Sequence, residues 1–418
     1  MTLAFVAASR VGTRVPLALQ MCPGLRRRFK MPVKVLAVGD PAVYGYVDPQ
    51  LGIIESFQQR SGISVEFEVL PWEQYGDRLF AVAAERKPAY DIVMIAGHLW
   101  LAQFVNAGYL EPLDDYGALN TEEFDAKDIH PAIASEMRYK GSSWLVPSFT
   151  DGHIVYADSA TSELLSRAEL QDPRRYVDLA QRLSKTELPH LAPVVMKVAP
   201  SEIFLDWLPY LYSFGGECFG PSGEPLFAED AGHEALEYYL RLTAFLSKKH
   251  APYGNEQVAA ALRNGEAAFG LSWGGQAGVI VSEEHANNEY FVYETPQYPW
   301  NVTWSFGVLS ASSNKHDAVE LLAYLGSREV DCHIGVYAGS PVRKSTYRDA
   351  ALRKRCPWFT AQEQLLERAR RLPHLPKLGS LITPLYAELS RAFRGECTAS
   401  EALITAREAV EQELAATG

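Results

Sequence analysis

Apolar and polar positions in the first quarter of the chain follow a repeated strand–helix pattern. Val33–Val38 is an apolar run that predicts a strand, and at 63–69 apolar residues alternate with Ser and Glu, the period of a half-buried strand. Asp91–Ile95 is almost wholly apolar, which is typical of a strand buried on both faces. Helical patterns follow these strands at 52–60, 72–86 and 100–107. This order predicts a parallel sheet with helices on its faces.

The rest of the chain mixes short strands with long helical stretches. Trp144–Pro147 and His153–Tyr156 predict two short strands around a polar segment, and Ser162–Leu246 is mostly helical. Ala267–Leu271 predicts a strand that ends in Ser-Trp-Gly-Gly and leads into a helix. Further strands are predicted at 291–295 and 304–310, and further helices at 317–326, 363–371 and 381–414.

Composition and charge exclude two classes of partner. The 418 residues are 47% apolar and 22% charged, normal for a soluble globular protein of about two or three domains. The first 30 residues hold six basic residues and no acid, so removing their charge from the total of −12 leaves −18 on the remainder. Such a body is a poor nucleic-acid surface. No apolar run reaches the roughly 20 residues of a membrane span.

The cysteines and histidines form no metal or redox motif. The five cysteines are widely spaced without a CxxC pair, and the ten histidines include no HExxH pair. A P-loop is also missing from the sequence. We therefore expect neither a metal nor a cofactor, and we expect buried, unpaired thiols.

Residues 1–32 are predicted to be a leader or a disordered segment. The apolar stretch at 3–8 is short, and the one at 15–21 precedes the basic cluster at 26–30 instead of following it. A secretory signal has the opposite order, with basic residues before the apolar core. The sequence therefore shows no clear signal peptide, and Met31 is an alternative start.

Several segments, taken in order, resemble one family. Pro88–Trp100 followed by Gly108–Asp114 resembles the N-lobe strand, helix and turn of the extracellular solute-binding proteins of carbohydrate ABC transporters, the maltose-binding-like group. Trp144–Tyr156 is similar to the first interlobe crossing of that family. Four later segments are similar to other parts of that family: 264–269 to a strand, 307–311 to the third crossing, 339–343 to the loop beyond it and 401–406 to the last helix. The resemblance covers about residues 33–414.

This resemblance implies an α/β, two-lobed periplasmic-binding-protein-like fold with three interlobe crossings and a ligand cleft. The N-lobe would comprise 33–148 and 272–312, and the C-lobe 149–271 and 313–418. The protein would be the substrate-binding component of an ABC importer, not an enzyme. It would close by a hinge on a sugar, oligosaccharide or sugar derivative and deliver it to the permease subunits. We expect a monomer in the periplasm or at the cell surface, with no nucleic-acid partner.

A sugar ring offers apolar C–H faces, which suit flat aromatic side chains. Trp273, followed by Gly274, stands at the end of a predicted strand, where ligands dock in open α/β sheets. Further candidates for stacking are Trp72, Trp207 and Trp304. The alternative for each of them is a core indole, since Trp is commonly well buried.

Sugar hydroxyl groups suit polar side chains, and five candidates lie in predicted loops: Asp40, Tyr44, His98, Asp151 and Arg343. Asp40 and Tyr44 follow the first strand, a position that the family uses for ligand hydroxyls. Arg343 faces the cleft if the family's loop carries over, and its guanidinium would suit a carboxylate, phosphate or sulfonate. The alternatives are an ordinary turn for Asp40, an Asx turn for Asp151, packing for His98 and a surface ion pair for Arg343.

Two other functions compete with the binding protein. Gly270-x-Ser272-x-Gly274 matches the nucleophile elbow of a serine hydrolase, and acids and histidines follow it in the right order at Asp317 or Asp331 and at His333 or His374. The sequence shows no HGGG-type oxyanion segment upstream. The second alternative is an intracellular sensor on the same fold.

Overall fold

The structure is a computed structural model that describes residues 31–187, 191–250, 252–281 and 291–416. All but the last two residues of the predicted leader at 1–32 lie outside this range. Residues from Pro32 onward form a single compact unit. In the described ranges, no helix is both long and apolar enough to cross a membrane.

Ten strands occur in the described residues. They are β1 Val33–Val38, β2 Val65–Leu70, β3 Ile92–Ala96, β4 Arg138–Tyr139, β5 Ser142–Ser143, β6 Val146–Asp158, β7 Ala192–Val195, β8 Ala267–Trp273, β9 Phe291–Glu294 and β10 Asn301–Val308.

Nineteen α-helices occur in the same ranges, together with six short 3₁₀ turns. The helices are α1 Pro41–Val47, α2 Ile53–Ser61, α3 Trp72–Ala83, α4 Gly97–Asn106, α5 Pro131–Glu136, α6 Ser159–Leu164, α7 Arg167–Gln171, α8 Tyr176–Leu183, α9 Ile203–Ser213, α10 Asp230–Thr243, α11 Asn255–Arg263, α12 Ala277–Ile280, α13 Lys315–Leu325, α14 Arg328–Tyr337, α15 Lys344–Arg348, α16 Ala350–Arg355, α17 Phe359–Arg368, α18 Leu378–Phe393 and α19 Ala399–Ala415.

Eight strands are joined in the order β2-β1-β3-β10-β6-β8-β7, with β9 also paired to β6. β1 is parallel to β2 and β3, as the strand–helix order predicts. β3 is buried along its whole length, whereas β2 at the sheet edge alternates between exposed and half-buried positions. The strand–helix pattern of the first quarter of the chain is therefore confirmed.

β6 joins two halves of this strand path. Its residues up to Gly152 pair with β10, and its residues from His153 onward pair with β8 and β9. The prediction of two short strands here is wrong, since one 13-residue strand runs through both and is buried throughout.

Polar residues interrupt the apolar pattern in the middle of β6, and each of them has a partner inside the protein. The Ser148 hydroxyl lies 2.9 Å from Tyr46 Oη, Thr150 Oγ1 donates to Asn301 at 2.8 Å, and Asp151 accepts from Gly275 N. Buried polar groups are tolerated when they are hydrogen-bonded in this way. The strand therefore continues where the sequence pattern suggests a loop.

The C-terminal region contains two helices where the periodicity predicts one over 381–414. Gly395 adopts a left-handed conformation with φ of 73°, which ends α18. Thr398 then starts α19 through a capping box, in which its hydroxyl accepts from Glu401 N at 3.2 Å and its backbone N–H donates to the Glu401 carboxylate at 2.8 Å. Gly395 therefore ends one helix and Thr398 begins the next, although the apolar periodicity runs through both.

Helices α13 and α14 contact the helices that follow β1. Tyr324 donates to the carbonyl oxygen of Ile53 at 3.1 Å and packs against Phe57, and Arg60 pairs with Glu329 at 3.1 Å. These helices belong to the segment 313–418 that the sequence assigns to the C-lobe. The lobe boundaries stay a prediction.

Candidate ligand-binding site

A cavity of about 1130 Å³ opens between segments that are distant in the sequence. Its wall includes the loop after β1, helix α11, the turn before α12, helix α14 and the chain around α16. Asp40 lies in the loop after β1 and Tyr44 in the helix α1 that follows it. Asn255 comes from α11 and Gln276 from the turn before α12. The cavity therefore lies where a cleft between the two predicted lobes would be.

Asp40 serves both the fold and the cavity. Its extended backbone places it at the N-cap of α1, where the carboxylate accepts from Ala42 N at 2.9 Å, and Pro41 occupies the first turn. Burial, together with the neighbouring Asp151 carboxyl, raises the pKa of Asp40 well above its usual range. The turn interpretation of Asp40 and its place in the cavity wall are thus both consistent with the structure.

Asp151 faces the glycine turn that follows β8. Its carboxylate accepts from Gly275 N at 2.8 Å, and a Cβ at Gly275 would lie 2.9 Å from the same oxygen. Burial raises the pKa of Asp151 to about 7 and that of Glu202 to about 7. Asp40, Asp151 and Glu202 therefore give this region an acidic, acceptor-rich character.

Gly274, the candidate ligand-binding residue that follows Trp273, is explained by packing. A Cβ at this position would lie 2.0 Å from Gln362 Nε2, so any larger residue would displace the Gln362 side chain. Gln362 is itself buried and donates to Ser340 at 2.9 Å.

Trp273 is enclosed on one face and anchored at its edge. His153 stacks on the indole with a centroid distance of 4.0 Å and an angle of 29°, and Trp300 meets it edge-on at 5.4 Å. The indole N–H donates to Glu202 at 3.4 Å. Only 6% of Trp273 is exposed. The side chain thus combines a core position with a direct link to the acidic region.

A buried polar network lies beneath Trp273. Lys197 Nζ lies 2.7 Å from His153 Nε2, 3.3 Å from Asp206 Oδ1 and 4.9 Å from the Trp273 ring centroid. Trp300 donates to His153 Nδ1 at 3.2 Å. Burial and the nearby lysine hold the pKa of His153 well below its usual range.

Sequence reasoning missed this network, although it left a signal. Lys197 is the only charged residue in the apolar run 192–198, and it lies two residues after the end of β7. A lysine in a run of buried residues needs an acidic or hydrogen-bonding partner. That requirement could have singled it out, but it could not have named His153 or Asp206.

Trp72 and Trp304 contact each other and a third tryptophan, Trp100, and they do not reach the cavity. Trp72 stacks on Trp100 with centroids 5.9 Å apart, and Trp304 meets both edge-on at 5.8 and 5.9 Å. Trp72 and Trp304 remain half-buried, so each keeps some exposed surface. None of the three contributes to the cavity wall described above.

Two predicted site residues lie in the core. Trp207 in α9 is fully buried, which favours the core interpretation of this indole. Arg343 is also fully buried, and its guanidinium donates to the carbonyl oxygens of Phe124, Asp125 and Gly326. The expectation that Arg343 faces the cleft is therefore corrected: backbone carbonyls, which no sequence pattern reveals, occupy its donors.

His98 and Tyr44 differ in exposure. His98 begins α4 and is 6% exposed, and no hydrogen-bond partner for its Nδ1 is found in the described residues. Burial lowers the pKa of His98 to about 3, so the imidazole is neutral. Tyr44 is 49% exposed and lines the cavity beside Asp40.

The comparisons with known proteins identify the family. The family model for bacterial extracellular solute-binding proteins matches residues 40–331, more than half of the chain. The chain belongs to this family. The resemblance seen in the sequence is thereby confirmed.

Solved structures show the same fold. The maltose-bound MalE3 of T. maritima is 20% identical, with a TM-score of 0.79 over 91% of this chain and 99% of that chain. An ABC transporter solute-binding protein of Agrobacterium radiobacter K84 in complex with ribitol is 20% identical, with a TM-score of 0.80 over 92% of this chain and 99% of its own. The α/β solute-binding-protein fold with two lobes is therefore confirmed.

A curated relative comes from Sinorhizobium fredii (strain NBRC 101917 / NGR234). This probable amino-acid ABC transporter periplasmic-binding protein is 22% identical over 323 residues, which cover 73% of this chain and 72% of the relative.

The segment Gly270–Gly274, which matches the serine-hydrolase elbow in sequence, does not have the geometry of a nucleophile elbow in this solute-binding protein. Ser272 lies inside β8 and is fully buried, whereas an elbow nucleophile stands exposed on a turn. Among the described residues, its hydroxyl has no hydrogen-bond partner, histidine included. Nor do the described side chains place three His, Cys, Asp or Glu residues together as a metal site would require.

Proposed function

We propose that this solute-binding protein is the substrate-binding component of an ABC importer and captures a sugar-type polyhydroxyl ligand in its interlobe cleft. The observation that carries the proposal is a cavity lined by Asp40 and Gln276 from distant segments. The Asp151 carboxyl lies next to Asp40, and Trp273 is joined to the same acidic region through Glu202. Sequence separation of this kind is typical of a site assembled by the fold.

The chemistry of these groups suits hydroxyls. Carboxylate oxygens accept from sugar O–H groups, and an indole edge or face packs against C–H groups. Arg343, the residue expected to bind an anionic group, is occupied by backbone carbonyls, whereas the cavity wall carries Arg263 and Arg355 together with Asp40, Glu256 and Asp349. Because the wall carries both signs of charge, the proposed ligand is a neutral sugar or polyol.

A panel of sugars, polyols and amino acids measured by thermal unfolding tests the proposal. A ligand that binds only the native state stabilises it by about 2.7 kcal/mol at 100 times its dissociation constant. We expect a shift with at least one neutral sugar or polyol. Small-angle scattering at saturation should then show a smaller radius of gyration, since hinge closure brings the lobes together.

Shifts only with amino acids, or with anionic sugars alone, would contradict the proposed ligand class. A sugar that binds without compaction would contradict hinge closure.

The same proposal includes export, a monomeric state and docking on permease subunits. The family is extracellular, which supports a periplasmic or cell-surface location. Fractionation of the native host, with mass determination of the mature N-terminus, tests export. Recovery of the full-length chain in the cytoplasm would instead favour the intracellular sensor.

We also propose that the chain is not a serine hydrolase. Ser272→Ala should leave ligand affinity unchanged and produce no loss of ester or glycoside turnover, because Ser272 is buried and its hydroxyl has no hydrogen-bond partner in the part of the chain that the structure describes. The measurement is initial rate on chromogenic esters and glycosides for both proteins. A wild-type rate above background that disappears in Ser272→Ala would overturn the binding-protein function.

A further inference from the structure

We propose that the pocket between α7, β9 and α17 is a second binding site, separate from the cavity beside Asp40, for a small organic cation with an amine or guanidine head group. The site is built around the buried carboxylate of Glu294, and the guanidinium of Arg167 occupies that carboxylate in this structure. The inference goes beyond the proposed sugar-binding function and does not depend on it.

The pocket is assembled from three segments that are distant in the sequence. Leu165 and Leu170 come from the chain around α7, Glu294 ends β9, and Ala361 lies in α17. The volume of about 500 Å³ lies within the range of about 300–1,000 Å³ for small-molecule sites. Among the described residues, none belongs both to this wall and to the wall of the cavity beside Asp40. A ligand in this pocket would therefore not occupy the sugar site.

Glu294 supplies a fixed negative charge in the pocket wall. Its side chain is 3% exposed, and its carboxylate accepts hydrogen bonds from Gln171 Nε2 at 2.7 Å and from Arg167 Nε. A carboxylate offers about four lone-pair positions, so these two donors leave room for a further N–H group. A buried carboxylate also needs a cation close by. The wall therefore selects a positively charged donor.

Arg167 meets this need from the solvent side, because 79% of its own side chain is exposed. It is the first residue of α7, whose start is fixed by a capping box between Ser166 and Glu169. In the part of the chain that the structure describes, Nε is the one guanidinium nitrogen of Arg167 with a hydrogen bond. An arginine that lies mostly in water and is held by a single nitrogen can exchange with another cation.

Such an exchange keeps the buried carboxylate paired throughout. Glu294 is never left as an isolated charge, which would be costly, and Arg167 gains hydration when it leaves. An alkyl chain on the incoming cation can also pack against Leu165 and Pro357 in the wall. The net charge of −18 on the chain after residue 30 attracts cations to the protein as a whole.

The alternative is a structural ion pair, as many partly exposed Arg–Glu pairs are. A structural pair has no need of a cavity beside it, whereas Glu294 lies in the wall of one. The two interpretations also differ in what the loss of Arg167 does. A competitor for the site lowers ligand affinity, so its removal raises that affinity.

The test uses n-butylamine and n-butylguanidine, which are cations at neutral pH, and n-butanol as the neutral probe of the same chain length. Affinities are measured by ligand-observed NMR titration on the unmodified full chain, Glu294→Gln, Arg167→Ala and Arg174→Ala, with circular dichroism as the check of folding. Arg174 is the matched control, because it also pairs with an acid, Asp172 at 2.9 Å, and is not among the residues of the pocket wall.

We expect at least one of the two cations to bind the unmodified protein, and butanol not to bind. Arg167→Ala should bind the same cation at least about tenfold more tightly, which corresponds to about 1.4 kcal/mol, and Arg174→Ala should leave the affinity unchanged. Glu294→Gln should abolish cation binding. If Glu294→Gln does not fold, the comparison of Arg167→Ala with Arg174→Ala decides.

Cations that do not bind the unmodified protein, or that bind Arg167→Ala no more tightly, would overturn the second site. Cation affinity that survives in folded Glu294→Gln would do the same, since it would place the cation elsewhere. Sugar affinity should be equal in Glu294→Gln and the unmodified protein. Failure of the cations with sugar binding intact thus contradicts this inference alone, and a panel in which no sugar binds contradicts the proposed function alone.

Discussion

Replacing Trp273 with alanine is expected to lower sugar affinity by about 30- to 1000-fold, or about 2–4 kcal/mol, which is typical of losing an aromatic anchor at a binding site. The structure also predicts a loss of stability, because the indole stacks on His153 at 4.0 Å and is 6% exposed. Truncation of a buried Trp commonly costs about 3–5 kcal/mol. Calorimetric affinity and denaturant midpoint are measured on the same samples.

Two further variants separate the contribution of Trp273 to ligand affinity from its contribution to stability. Trp273→Phe keeps an aromatic plane but loses the N–H that donates to Glu202, so affinity should fall less than in Trp273→Ala. Trp207→Phe is the matched control, since Trp207 is fully buried in α9 and its indole N–H has no hydrogen-bond partner among the described residues. It should reduce stability and leave affinity unchanged. Normal affinity in Trp273→Ala with a large loss of stability would remove Trp273 from the site.

Replacing Lys197 with methionine is expected to destabilise the fold by about 3–5 kcal/mol, because it leaves the buried Asp206 carboxyl without its cation. Lys197 and Asp206 are 0% and 1% exposed, and their charged atoms lie 3.3 Å apart. Asp206 would keep its hydrogen bond from Tyr239 at 3.0 Å and the one from the backbone N–H of residue 197. The free energy of unfolding in urea measures the effect.

The stability loss of Lys197→Met should depend on pH. Burial already raises the pKa of Asp206, and losing Lys197 raises it further. A carboxyl whose folded-state pKa lies above its unfolded value binds more protons when folded, so stability falls as pH rises between the two values. The deficit of Lys197→Met relative to wild type should therefore shrink from neutral to mildly acidic pH.

The double variant Lys197→Met with Asp206→Leu is the control for charge imbalance. Removing both ions avoids the isolated charge, so it should be more stable than Lys197→Met alone. A double variant that is as unstable as the sum of the two single variants would show that packing at these positions, and not the ion pair, sets the loss.

The first quarter of the fold could be predicted from the sequence because its signals are local. β3 is a continuous apolar run and β1 is interrupted only by Lys34, and a strand buried on both faces has few alternatives. The family could also be recognised, since the order of its segments survives in the chain. The position of Asp40 in the cavity wall could be predicted too, because residues that follow a parallel strand lie at the edge where ligands bind.

Other parts depend on partners that are distant in the sequence. β6 continues through Ser148, Thr150 and Asp151 because Tyr46, Asn301 and Gly275 satisfy their polar groups. No local pattern contains those partners, so a loop was predicted.

What the sequence by itself determined is the class of protein, the order of its main elements and a set of candidate residues for the site. Only the tertiary structure decided which of these candidates lie near one another and which are buried in the core. It buries Arg343 among the carbonyl groups of Phe124, Asp125 and Gly326, and it places Lys197 beside Asp206 beneath Trp273. The physical reason is that burial and hydrogen-bond partners are set by contacts between distant segments, whereas hydrophobic periodicity reports only the local exposure of each element.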